Sequence, residues 1–304
     1  IVEGLVNSKT RLLYPSQFFN RSNTISFVIA SRFQIILSIL LFSLFTHSLA
    51  LPQNNPVPGG LLVLELPSAD ISQASFQGNR VAIIEENHQR YALVGLSLDA
   101  KPGTNQLELI TTQGKKIQQA FDLNEKSYTV QRLTVKDQRK VDPGAEDMIR
   151  IEAEQIRMDR ARQTWTDQPP NYRFTQPVTG RISSIFGLRR FFNDQPRRPH
   201  SGLDLAAAEG TPIQAVEAGK VIESGDFFFS GNMVYIDHGQ GLISLYAHMN
   251  EVRVKTGDLI QRGQIIGTVG QTGRITGPHL HLGIIINQTL VDPVLFLPPQ
   301  PGSD

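Results

Sequence analysis

No cysteine occurs among the 304 residues, and that single absence closes several routes. A closed structural zinc site built from thiolates is excluded, disulfides cannot staple the fold, and no lipid can be carried on a cysteine at an export cleavage site. Stability must therefore come from apolar cores. Charge of one sign is also missing, the formal net charge being +1. In residues 1–50, Lys9, Arg11, Arg21 and Arg32 stand against Glu3 alone, so the remainder is slightly acidic. Such a balance predicts no nucleic-acid partner. Long apolar runs are scarce as well. The run at Ile35–Phe45 spans eleven residues and is broken by Ser38 and Ser43, against the roughly 20 that a membrane helix needs.

That run has another reading. Arg32 precedes it and Ser48-Leu49-Ala50 follows it, with small residues at the two positions a signal peptidase reads. The pattern predicts export, cleavage after Ala50, and a mature chain that begins at Leu51 without a membrane anchor. Its expected place is the periplasm or cell envelope, or outside the cell. Residues 1–31, Ser-rich and poor in acids, are read as translated sequence upstream of the true start, within an N-terminal extension and signal peptide of 1–50.

The length predicts two domains, and the patterning is mainly β. Residues 51–57 are polar and proline-rich, an exposed lead-in. Strand signals recur at Leu61–Leu66, Val81–Glu85, Tyr91–Leu98, Gln106–Thr111, Ile117–Leu123 and Tyr128–Val135. They predict a small antiparallel β-sandwich over 58–137, with His88 exposed in a hairpin turn. Asp142-Pro143 suits the start of a connecting helix over 142–166. Met148, Ile151, Met158 and Trp165 would form one apolar stripe on it, packed across the two domains. Residues 174–298 are strand-rich again, a second antiparallel β domain. Within it Gly210–Ile222 and Gly257–Val269 read as copies of one β-hairpin unit, and 299–304 form a polar tail.

What is present is histidine in a pattern. His200-Ser201-Gly202-Leu203-Asp204, Tyr246-Ala247-His248 and His279-Leu280-His281 place four imidazoles and a carboxylate in three clusters of the second domain. These are ligand types a catalytic zinc takes when one coordination position stays open. His279 and His281, two apart in an apolar run, fall on one face of a strand while Leu280 and Leu282 face a core. His200 and Asp204 lie about 13 Å apart on a flat strand. Sharing an ion therefore requires the backbone to bend at Ser201-Gly202. No His-Glu-x-x-His helix is present, so a glutamate base of that kind has no counterpart.

The segment from about Arg181 to Pro293 resembles the lysostaphin-type (LytM-like) zinc metallopeptidases, enzymes that cut the peptide part of bacterial peptidoglycan. The resemblance rests on His200–Asp204, Gly231–Gly239, Leu245–His248 and Gly273–His281. It implies a β domain with the site in a groove and one Zn²⁺ on His200, Asp204 and His281. It implies endopeptidase action on stem or cross-link peptides, with His248 and His279 as the catalytic pair that does not bind metal. His279, sharing a strand face with a ligand, is taken as the base, and His248 as the group that orients water or supports the charge on the carbonyl oxygen. The two roles are interchangeable on this reading. His238, at a turn just past a strand, is assigned a structural role. The loop leading into His200, including Arg198, and the aromatics Phe228 and Phe229 are expected to wall the groove, with arginines for peptide carboxylates. A packed loop cluster is the alternative. Many members carry an acid two positions after the last histidine, where this chain has Gly283, so a contact supporting the metal is expected to be missing. The rival function is a catalytically silent peptidoglycan binder or activator of other wall hydrolases, but such relatives lack part of a ligand set that is complete here.

Overall fold

The computed structural model describes residues 51–299. The expected signal peptide, and residues 300–304 of the tail, lie outside the described residues.

Six strands form the first domain: β1 (Leu61–Glu65), β2 (Ile71–Phe76), β3 (Asn79–Glu86), β4 (Gln89–Gly95), β5 (Gly103–Thr111) and β6 (Lys116–Leu123). They make one antiparallel sheet in the order β1-β4-β3-β2-β5-β6. β3 pairs with β4 over Ala82–Glu86 and with β2 over Asn79–Val81, so it carries the sheet round a bend. Every strand then sends side chains to one enclosed core, among them Leu62, Ile71, Val81, Val94, Leu107 and Phe121. The result is a β half-barrel. His88 is exposed with φ 63°, in the tight β3–β4 turn.

The opposite face of β1, β3 and β4 is also apolar. Leu61, Ala82, Ile84 and Leu93 join the main core of the second domain. Asn287 of that domain is buried against Gly95, accepting from its N–H at 2.6 Å and donating to its carbonyl at 3.1 Å. The lead-in is not free either, since Gln53 N–H donates to the Leu295 carbonyl at 2.8 Å and Leu51 packs on the same core. Apolar matching to the domain face overrides its polar composition.

Two expectations about the connection are corrected. β7 (Val130–Leu133) does not belong to the half-barrel. It pairs in parallel with β9 (Arg189–Phe192), which also pairs with β10 (Gln195–Pro196), so the strand predicted to close the first domain is part of the second. The helix α1 spans Ala145–Arg162, starting three residues past Asp142 with Gly144 as its cap. Its buried positions are Asp147, Glu154 and Ala161, while Met148 is 41% exposed. Polar partners decide this face: Asp147 takes both arms of Arg139, and Glu154 accepts from the Phe228 N–H at 2.7 Å. Met158 and Ala161 settle on an apolar cluster with Phe227, Met233, Tyr235 and Ile243, so α1 itself lies on the second domain, and of the expected stripe only Trp165, past its end, reaches the first, under Arg80 at 4.0 Å.

The second domain is built on β8 (Arg181–Ser184), β11 (Leu203–Ala206), β12 (Pro212–Gln214), β13 (Gly219–Phe227), β14 (Gly231–Asp237), β15 (Ile243–Val252), β16 (Leu259–Ile260), β17 (Ile265–Val269), β18 (His279–Ile286) and β19 (Thr289–Val291). The main path runs β16-β13-β14-β15-β18-β11-β8, with β12 and β17 paired beside β15. The two similar stretches are not separate hairpins. β12 of the first pairs with β17 of the second, and β13 of the first with β16 of the second, an exchange in which each completes the other.

Candidate metal centre and active site

β11 and β18 run antiparallel with Asp204 opposite His281 and Ala206 opposite His279, so the carboxylate and both histidines share one sheet face. β15 lies on the other side of β18, with Ala247 opposite His281. Plain alternation would point His248 to the opposite face. A bulge prevents it: between the Asn232–Met249 and Val234–Tyr246 pairs, two residues of β15 oppose one of β14, and His248 has φ 63°. The left-handed backbone is costly for a residue with a Cβ, and bulges of this kind re-aim side chains. The His248 ring centroid lies 4.9 Å from that of His279 and 6.0 Å from that of His281.

His200 enters from the loop before β11, held by its N–H on the Leu188 carbonyl and by Gly187 N–H on its own carbonyl, each at 2.8 Å. The bend expected at Ser201-Gly202 is there, and Gly202 is needed for a second reason. A Cβ on it would lie 2.6 Å from His281 Nε2 and 2.4 Å from the Leu282 carbonyl oxygen.

The three expected ligands converge. His200 Nε2 is 2.9 Å from Asp204 Oδ1 and 3.1 Å from His281 Nδ1, and His281 Nδ1 is 2.7 Å from Asp204 Oδ1. Ligands of a tetrahedral ion bonded at ~2.1 Å would be about 3.4 Å apart, only tenths of an ångström more. His200 Nδ1 donates to the Ile185 carbonyl at 2.7 Å, which leaves Nε2 as an acceptor facing another acceptor. Two such lone pairs repel unless a proton or a cation lies between them. The donor set of two imidazoles and one carboxylate oxygen therefore fits a metal ion. Burial alone would raise Asp204, but the adjacent imidazoles of His200 and His281, which favour its anionic form, hold it well below the usual carboxylate range.

His248 and His279 point the same way. Each spends Nδ1–H on a backbone carbonyl, of Thr272 at 2.8 Å and of Gly277 at 2.9 Å. That fixes the tautomer and leaves Nε2 basic. His279 Nε2 is 3.6 Å from Asp204 Oδ1. Burial, then the neighbouring His279 and His281, push His248 down to about 3. Burial also lowers His279, with Asp204 working against it. His238 is different: Nδ1–H donates to the Ala218 carbonyl at 2.8 Å and Nε2 meets Ser244 Oγ at 2.8 Å, a satisfied structural histidine.

Several neighbours carry no motif signal. Arg190 donates to Asp204 Oδ2 at 2.9 Å and to Ser184 Oγ at 3.1 Å, and its Nε to Gln131 Oε1 at 3.1 Å. It occupies the carboxylate oxygen that faces away from the histidines. Gln131 comes from β7, so the parallel strand supports the site. Arg190 stood inside the loop proposed from sequence, but its particular role depends on register between β7 and β9, which no local pattern encodes. The cavity over the site is lined by Gln131, Ser184, Asp204, His248, Arg274 and His279, among others.

The proposed wall residues are mostly elsewhere. Arg198 is exposed and is not part of that lining. Phe228 is 2% exposed, beneath Lys140 Nζ at 3.7 Å from its ring centroid, and its backbone is clamped by Glu154 and Lys140. Phe229 packs edge-on to Phe228 at 5.0 Å and under Arg274. The packed-cluster alternative describes this loop, because Glu154 of α1 and Lys140 just before that helix supply the charged groups that hold it. At Gly283 a Cβ would meet Leu245 at 3.0 Å and Leu290 at 3.4 Å. Apolar side chains fill the place where an acid would project.

An antiparallel β sheet carrying a His-Asp-His cluster with two flanking imidazoles has the donor set of a metal-dependent enzyme. The comparisons agree. Residues 198–293 match Peptidase family M23 and residues 54–126 match the Peptidase family M23 N-terminal domain. A crystal structure from Pseudomonas aeruginosa assigned to peptidase M23 superposes with a TM-score of 0.68 at 38% identity, covering 80% of this chain and 95% of that one. The chain belongs to peptidase family M23. Peptidoglycan DD-endopeptidase ShyC of Vibrio cholerae is 42% identical over 124 residues, 40% of this chain and 29% of that protein. DD-carboxypeptidase/endopeptidase Mpg of Neisseria meningitidis is also 42% identical, over 41% of this chain and 29% of its own length. The chain thus aligns with under a third of the length of these relatives.

Proposed function

We propose that this protein is a zinc-dependent endopeptidase that hydrolyses peptide bonds in the stem or cross-link peptides of bacterial peptidoglycan. The observation that carries the reading is the convergence of lone pairs from His200, Asp204 and His281 at 2.7–3.1 Å beside two imidazoles with unspent Nε2 atoms. The relatives' names supply the substrate, and by the same route we propose a DD bond, one joining two D-configured residues. Two imidazoles with one carboxylate suit zinc. When bound, Zn²⁺ supplies Lewis acidity that polarises a carbonyl and brings the pKa of a water towards 7.

The remaining chemistry falls to the chain. His279 takes a proton from the attacking water at Nε2 and hands it to the departing amine. Asp204, 3.6 Å away, stabilises the imidazolium that this creates, whereas the near neighbours of His248 are imidazoles. His248, neutral because of its burial, accepts a hydrogen bond from the water at Nε2 and orients it. Arg190 fixes Asp204 by the oxygen not directed at the cluster.

We also propose export to the periplasm or cell envelope, with a mature chain starting at Leu51; N-terminal sequencing of exported material tests this. Among the described residues no helix is long and apolar enough to cross a membrane. The decisive experiment for activity combines metal analysis with digestion of purified muropeptides, with and without chelator. One zinc per chain and chelator-sensitive cleavage are expected. Bound zinc without cleavage of any cross-linked muropeptide would leave the silent-binder reading in its place.

A further inference from the structure

Two arginines line the cavity, and only one of them has an anion. Arg190 is matched to Asp204 at 2.9 Å. Arg274 has no carboxylate within ion-pair distance among the described residues. Its single side-chain hydrogen bond there is a long one, Nη1 to the Lys140 carbonyl at 3.4 Å.

The loop holds Arg274 firmly in spite of this. Its N–H donates to the Phe229 carbonyl at 2.8 Å, and Gly273 before it has φ +78° with Gly231 N 2.4 Å from any added Cβ. The guanidinium carbon lies 4.6 Å from the ring centroid of Phe192 and 4.4 Å from that of Phe229. Aromatic stacking occupies the flat surface of a guanidinium and leaves its N–H edge available for a bidentate acceptor. A half-buried cation without a counter-charge is unfavourable, and here burial, then Arg190 and Arg197, lower it to about 10. Such a group is poised to receive an anion from outside the chain.

We infer that Arg274 is a specificity-determining residue that binds a free carboxylate of the substrate, carried on the carbon next to the scissile nitrogen. This rests on the endopeptidase reading above. When the amine-side residue of a DD bond is a chain terminus or a cross-linking diamino acid, that carboxylate is unblocked. Arg190 cannot serve in its place, being committed to Asp204 and Ser184.

The test uses the full chain and two cross-linked muropeptide dimers that differ only in that carboxylate, free in one and amidated in the other. The wild-type protein should prefer the free form by roughly 10- to 100-fold in kcat/KM, as expected for a charge-assisted pair, with the difference mainly in KM. Arg274→Gln should bring the two substrates to within about twofold of each other, and Arg274→Lys should keep part of the preference. A merely structural arginine would slow both substrates alike and leave the ratio intact. Equal wild-type rates on the two dimers, or an unchanged ratio in Arg274→Gln, overturns the assignment. The wild-type comparison decides even if that variant fails to fold. If the wild-type protein cuts neither dimer, the endopeptidase reading fails by itself, and calorimetric binding of the two dimers still judges Arg274. At least tenfold tighter binding of the free form supports it, and equal binding overturns it.

Discussion

Two histidines sit near opposite ends of the β14–β15 hairpin, and they teach what separates a site from a core. At one end His238 is 3% exposed, with both ring nitrogens spent on Ala218 and Ser244, and Ser244 Oγ continues to Tyr246 at 3.1 Å. Neither nitrogen of that ring is left free. At the other end His248 spends one nitrogen on Thr272 and keeps the second, held in place by a bulge with φ 63°. Burial alone therefore does not mark function. The mark is burial combined with unspent capacity and a strained backbone that maintains it.

The comparison breaks most readily at Asp204. Asp204→Ala removes the anion shared by the two ligand histidines and strands a buried Arg190. Zinc content should fall from about one per chain to near zero, and stability by about 3–5 kcal/mol, read by metal analysis and denaturant melts. Exchanging the two histidines comes next. His248→Ala should lower turnover by about 10²- to 10⁴-fold while zinc stays bound. His238→Gln should leave turnover within about twofold and cost about 1–3 kcal/mol of stability. Equal kinetic losses in the two variants would erase the distinction. A smaller effect is expected at Gly202→Ala, whose methyl group pushes on His281 and should weaken zinc affinity by about 10- to 100-fold in a competition titration.

The smallest expected effect is on acid stability. Burial lowers His238 below its ordinary 6.5, so below that pH the unfolded chain takes up a proton that the folded chain refuses. The contribution is complete above about pH 6.5 and declines as pH falls, at up to ~1.4 kcal/mol per pH unit. Thermal melts of wild type and His238→Gln should consequently draw closer together between pH 7 and pH 5.5.

Much of the site is legible in the sequence because its signals are local. His279 and His281 share a face by strand period, and Gly202 announces a bend. The fold class followed from evenly spaced strand signals. What escaped depends on register and partner choice. β7 carries an ordinary strand pattern, and only its parallel match to β9 assigns it to the second domain. The buried face of α1 mixes Asp147 and Glu154 with Ala161 and Met158, so the expected stripe holds at Met158 and fails at Met148. Phe228 looked like a groove wall because nothing adjacent in sequence reveals Glu154 and Lys140 above and below its backbone. The bulge at His248 leaves no trace in Tyr246-Ala247-His248.

The exchanged pairing of β12 with β17 and of β13 with β16 sets the timetable of folding. The first half cannot satisfy its edges without strands about 40 to 50 residues further along the chain, and such distant pairings are slow. His281 lies later still in the sequence. The His-Asp-His cluster therefore closes only after both exchanged pairs have formed, and metal uptake during refolding would report that the β domain has been knit.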